Sequence, residues 1–243
     1  MMGEVESGKS HFPSVGGAVA WIFVFVAVQI LCSYVAAKLA FPNIRDFSLL
    51  MTKMLDFKAA GVINLYAMTA SGLLITAMLL VHLRNRERRV SIGLFSPSQL
   101  GVAKTVAVSA ALWVCATGVS YLYARYVVPG TQLQSVTRNL IASIPIDFVH
   151  QLLLFLVITV FAAISEELIF RGLLQNALKK HLGSTWAIVL ASTAFALVHF
   201  QLHALPVLIL MGMTFGYLYQ RTGSLLVNVV VHSLNNAAAL LMT

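Results

Sequence analysis

From Phe148 to Leu178 the chain reads FVHQLLLFLVITVFAAISEELIFRGLLQNAL, a run long and apolar enough to cross a bilayer, yet it carries Glu166, Glu167 and Arg171. Further apolar runs of crossing length place spans at about 16–40, 59–83, 101–124, 148–178, 185–203, 205–220 and 225–242. In hydrocarbon every backbone N–H and C=O must be satisfied by the protein itself, so only helices or closed barrels cross it, and the alternating pattern of barrel strands is absent. The sequence therefore predicts an all-α fold, a polytopic transmembrane helix bundle of about seven spans, with six and eight as the neighbouring counts. A mean hydropathy of +0.88, with 59% apolar and 10% charged residues, excludes a soluble helical core, because a chain of 243 residues has too much surface to cover with so few polar groups.

The chain divides into residues 1–140, three spans without a recognisable motif, and residues 141–243, where the chemistry gathers. The opening MMGEVESGKSHFPS is too polar and acidic for a signal-peptide n-region, so the first apolar run reads as a retained anchor. With seven spans, one side collects ten basic residues (Lys9, Arg84, Arg86, Arg88, Arg89, Lys104, Arg171, Lys179, Lys180, Arg221) and the other six (Lys38, Arg45, Lys53, Lys58, Arg125, Arg138). The positive-inside rule then puts the N-terminus in the cytoplasm and the C-terminus outside, in the cell (plasma or inner) membrane. The net charge of +8 has the same origin. RNRERR at 84–89 abuts a span, which suits anchoring on anionic lipid and not a nucleic-acid face. Cys32 and Cys115 both lie within spans, without a second cysteine at metal-ligand spacing, so they read as small apolar residues.

Helical rise sets the depth of the polar groups. Counting from the Lys179-Lys180 pair, Glu166 lies roughly 20 Å into the membrane, and counting from Thr185, His199 lies about 21 Å in. Counting from Ser224, His232 and Asn236 lie about 12 and 18 Å in. Three helices thus bring ionisable or amide side chains to one level, and an ionisable group at bilayer depth is a functional-site candidate. Glu167 and Arg171 are i, i+4 with the acid first, the favourable order for a helical ion pair. Glu166 points about 100° away, so the two acids sit in unlike surroundings, the division that separates an ionised orienter from a titrating base. His199 and His203 share a face at i, i+4, with His203 near the membrane edge. His232 and Asn236 share another, where an imidazole and an amide make a plausible pair of oxyanion donors.

Glu166-Glu167-x3-Arg171, Phe195-x3-His199 and His232-x3-Asn236, in that order, resemble the CPBP family: CAAX prenyl endopeptidases and bacteriocin-processing enzymes, also called the Abi family. The resemblance covers about residues 145–240. It implies an intramembrane endopeptidase without a cofactor, in which Glu166 and His199 activate water, Glu167 and Arg171 shape the site, and His232 with Asn236 stabilise the oxyanion. The implied partners are the lipid bilayer and a peptide or lipidated protein substrate, not nucleic acid, with the cavity open to the cytoplasmic side; the state of assembly stays open. A metal-dependent alternative uses the same groups, with Glu166, His199 and His232, and His203 possible as a further ligand, holding zinc. The contiguous HExxH motif is absent. The alternative from another class is a non-proteolytic immunity or scaffold protein of the same fold. A transporter would call for inverted repeats or paired broken helices, and neither is visible.

Overall fold

The computed structural model describes residues 12–128 and 135–241 of the chain. Lys9 and most of the polar opening stretch lie outside them. Helix α1 (Val15–Ala40) starts where the Ser14 hydroxyl accepts the Gly17 N–H, filling one of the donors a helix leaves open at its start. A short α2 (Phe47–Leu55), capped in the same way by Asp46, leads into α3 (Phe57–His82), which returns across the membrane against α1. After α4 (Arg86–Ser91) the chain crosses again in α5 (Val102–Leu122). Following α6 (Ser135–Ser143), the long apolar run becomes α7 (Phe148–Phe155) and α8 (Ala162–Glu166). Asp147 caps α7, and hydrogen bonds from the His150 N–H and then its ring hold that carboxyl below the usual range. Over Leu156–Phe161, and again over Glu167–Gln175, the helix widens to an i→i+5 pattern, a departure concentrated at functional positions. It continues as α9 (Asn176–Leu197), followed by α10 (Leu205–Thr222) and α11 (Leu225–Leu241).

Among the described residues, five helices are long and apolar enough to cross a membrane, and Leu225–Leu241 is a shorter apolar helix. The fourth, Phe148–Leu197, is two passes, because Gly183 breaks it with φ 75° and ψ 173° and the chain doubles back. The Phe170 ring meets Phe195 edge-on at 5.5 Å across that hairpin. Counting both passes and adding Leu225–Leu241 gives seven apolar helices among the described residues, an all-α polytopic bundle as the hydropathy predicts. Aliphatic and aromatic side chains such as Phe23, Leu39, Leu80 and Val106 face outward, as a lipid-solvated bundle requires.

Two expectations fail here. His203 does not share a helical face with His199: α9 ends at Leu197, Phe200 takes a left-handed φ of 53°, and His203 sits exposed in the short turn Leu202–Ala204. Pro206 then opens α10, where a missing N–H is harmless. Arg171 is not at the cytoplasmic edge either, since it is fully buried against Glu167. It therefore does not count toward the charge that orients the chain.

Candidate active site

The widened helical segment after α8 buries Glu167 completely, and every contact of its carboxylate is a positive or hydrogen-bond-donating group. Oε1 lies 2.8 Å from His232 Nδ1 and 3.1 Å from Arg171 Nη1. Oε2 accepts from Asn228 Nδ2 at 2.7 Å. The Arg171 contact is off the N–H axis, so it is an ion pair and not a directed hydrogen bond. Arg171 directs Nη2 instead to the Gly212 carbonyl of α10 at 3.1 Å, and its guanidinium lies 4.6 Å from the Phe195 ring centre and 5.5 Å from that of Phe215. A desolvated cation over two aromatic faces gains from each. Gly212 also lets α10 pack closely on α9, because a Cβ there would stand 2.9 Å from Ser192 Cβ. One turn further, Gln175 repeats the pattern on the Gly216 carbonyl at 3.0 Å. Both Glu167 oxygens are therefore committed to neighbouring groups.

Glu166 faces elsewhere. Its side chain is 12% exposed, and it lines a cavity of about 510 Å³ together with His199, His232, Asn235 and Asn236. Its Oε2 lies 3.7 Å from His232 Nε2, so the His232 ring stands between the two adjacent glutamates. Stacking on Phe215, with ring centres 4.5 Å apart and planes 21° apart, holds that ring in place. His199 sits just beyond the end of α9, its Nδ1 2.8 Å from the Phe195 carbonyl. A carbonyl only accepts, so Nδ1 donates the proton and, in the neutral ring, Nε2 keeps its lone pair. Asn236 gives Nδ2 to the Ile158 carbonyl at 3.0 Å. The structure thus brings Glu166, His199, His232 and Asn236 to one cavity, with Glu167 and Arg171 packed behind them. Among the described residues, no group of three His, Cys, Asp or Glu side chains is placed to hold a metal ion.

Sequence reasoning missed Asn228. It is fully buried, and its Nδ2 joins Glu167 Oε2 to the Phe215 carbonyl at 2.9 Å. The available clue was spacing, since Asn228, His232 and Asn236 recur every four residues along α11.

Seen along the bundle, the cavity runs from mid-depth to one end. It takes in Ser120 near the end of α5, Gln201 and Ala204 between α9 and α10, and Leu240 at the end of α11. Tyr123 OH reaches the His203 carbonyl at that end. The start of α1 lies at the other, where Lys180 Nζ holds the Phe12 and Pro13 carbonyls. A cytoplasmic N-terminus and a cavity running toward the cytoplasm are therefore incompatible. The start of α1 and the hollow end of the bundle lie on opposite faces.

Residues 148–238, which contain every one of these motifs, match the family model described as type II CAAX prenyl endopeptidase Rce1-like. This segment is similar to the Rce1-like group of the CPBP family. Over 90 residues the chain is also 32% identical to the Bacillus subtilis (strain 168) protein named "Putative membrane peptidase YdiL". That alignment spans 37% of this chain and 37% of the relative's length. No solved structure matches. The Rce1-like segment begins with α7, so α1, α3 and α5, which supply Gln29, Ser71 and Trp113 to the cavity wall, precede it.

Proposed function

We propose that the chain is an intramembrane endopeptidase that hydrolyses a peptide bond of a membrane-associated or prenylated, CAAX-type peptide or protein, using a water activated by Glu166 and His199. One observation carries the reading: of two adjacent acids, the buried Glu167 has both oxygens committed, while the partly buried Glu166 faces a cavity shared with His199. A hydrolytic base needs a free carboxylate within reach of a water and a second group to orient that water, and these two side chains supply them. Glu166 takes one proton as the water oxygen attacks the carbonyl carbon, and His199 Nε2 accepts a hydrogen bond from the other O–H. The proton held by Glu166 then has a short path to His232 Nε2, 3.7 Å away. His232 protonated there, with its Nδ1–H already on Glu167, becomes a donor to the tetrahedral oxyanion beside the Asn236 amide. Collapse of the intermediate expels the amine, which leaves with a proton returned from the site.

We propose further that the reaction is free of metal, zinc held by Glu166, His199 and His232 being the alternative. The family match and the name of the relative support a peptide substrate, and the apolar cavity wall suits a lipid-embedded or lipidated one. The test is cleavage, by the purified full chain in detergent, of an internally quenched farnesylated CAAX peptide beside the same peptide without its lipid. Faster turnover of the farnesylated peptide is the expected result. Cleavage of the unlipidated peptide alone overturns the substrate class, and cleavage of neither overturns the endopeptidase reading in favour of a non-proteolytic scaffold.

A further inference from the structure

We propose that Trp113 and Asn235 are positioning residues that set which way the Asn236 amide faces; the proposal rests on the endopeptidase reading above. Three hydrogen bonds run in one direction along the cavity wall. Trp113, on α5, donates its indole Nε1–H to Asn235 Oδ1 at 3.0 Å. Asn235 Nδ2 donates to Asn236 Oδ1 at 3.3 Å, and Asn236 Nδ2 donates to the Ile158 carbonyl at 3.0 Å. All three side chains line the cavity.

The ends of this chain decide its sense. An indole N–H can only donate and a backbone carbonyl can only accept, whereas a primary amide does either according to a half-turn that scarcely changes its shape. Trp113 therefore obliges Asn235 to present its oxygen, which leaves the Asn235 NH2 for Asn236 Oδ1. Ile158 draws the Asn236 NH2 from the far end. Asn236 thus has its oxygen occupied, one N–H spent, and a second N–H to offer a developing oxyanion. An asparagine free to turn over would present an oxygen there for part of the time, which repels the charge it should stabilise. Without the indole N–H the lock is held at one end only, since Asn235 can reverse and set its oxygen against Asn236 Oδ1. Trp113 lies outside the family-matched segment, so this assigns the N-terminal spans a part in positioning the chemistry and not only in walling the cavity.

The test uses the purified full chain with the quenched farnesylated peptide. Trp113→Phe keeps an aromatic ring and removes the N–H. It should lower kcat roughly three- to tenfold, as loss of one hydrogen bond implies, with KM within about twofold of wild type. In an Asn236→Ala background, followed in single turnovers, Trp113→Phe should have no further effect. Asn235→Asp, which still accepts from Trp113 but cannot donate to Asn236, should lower kcat at least as much. An unchanged kcat, a loss confined to KM, or an effect that multiplies with Asn236→Ala would overturn the proposal, the last by marking Trp113 as merely structural. Glu166→Gln separates this failure from failure of the underlying reading. If it is inactive while Trp113→Phe is normal, only the positioning role falls. If it cleaves like wild type, or wild type does not cleave, both fall.

Discussion

Replacing Glu167 by Gln should destabilise the protein more than any comparable change in the bundle. Gln keeps the volume but removes the charge facing Arg171, and it puts an NH2 where Oε1 meets His232 or Oε2 meets Asn228. Breaking a buried ion pair by removing one partner costs about 3–5 kcal/mol, because the other charge is left uncompensated. Arg171 keeps its Gly212 hydrogen bond and its two aromatic neighbours, which points to the lower end, about 3 kcal/mol. At about 2–4 °C per kcal/mol for a chain of this size, the melting temperature in detergent should fall by about 6–12 °C. The double variant Glu167→Gln, Arg171→Met discards both charges and should melt closer to wild type than the single variant, since an apolar replacement of a whole buried pair is often neutral. Activity should be lost in both, because His232 loses the carboxylate that fixes its ring. A Glu167→Gln protein melting within about 2 °C of wild type, or a double variant less stable than the single, would refute the claim that this carboxylate is the electrostatic anchor of the site.

His199→Ala should abolish cleavage with little change in melting temperature, because the ring is partly exposed to the cavity; normal turnover would remove His199 from the reaction. Asn236→Ala should lower kcat by about 10²–10³ with KM nearly intact, as loss of an oxyanion donor does, and an intact kcat per folded molecule would leave the amide a packing role. Activity should survive exhaustive chelation, with far less than one equivalent of zinc by elemental analysis; stoichiometric metal whose removal and return switch activity off and on would reverse the mechanism. In whole cells, with Cys32 and Cys115 replaced by Ser, single cysteines at Ile146 and Leu202 should be labelled from one side of the membrane and one at Val90 from the other, and any other pattern would contradict the arrangement of passes.

What could be read from the sequence followed the cost of burying charge. Glu166, Glu167 and Arg171 stood out because nothing but a partner or a reaction makes a carboxylate tolerable in an apolar helix, and the spacing of four named the right pair. The passes were legible for the same reason, since hydropathy reports the solvent directly. Asn228 was not, because a neutral amide near a helix start reads as a cap or a packing contact, and its carboxylate partner lies 61 positions earlier. Trp113 was hidden likewise, 122 positions from Asn235. The shared face of His199 and His203 failed at Phe200, whose left-handed backbone no glycine announces, although Pro206 hinted that the helix stopped. The direction of the cavity escaped because a tally of basic residues orients the ends of helices and says nothing of which half of the bundle is hollow.

The central claim, that Glu166 supplies the base while its neighbour does not, is tested most directly by kcat for Glu166→Gln on the quenched farnesylated peptide, measured per folded molecule. The change deletes the basic oxygen and leaves the Glu167 cluster untouched. A loss of about 10²–10⁴-fold, the worth of a positioned general base, with a melting temperature near wild type is the predicted result. Turnover within a few-fold of wild type would contradict the account.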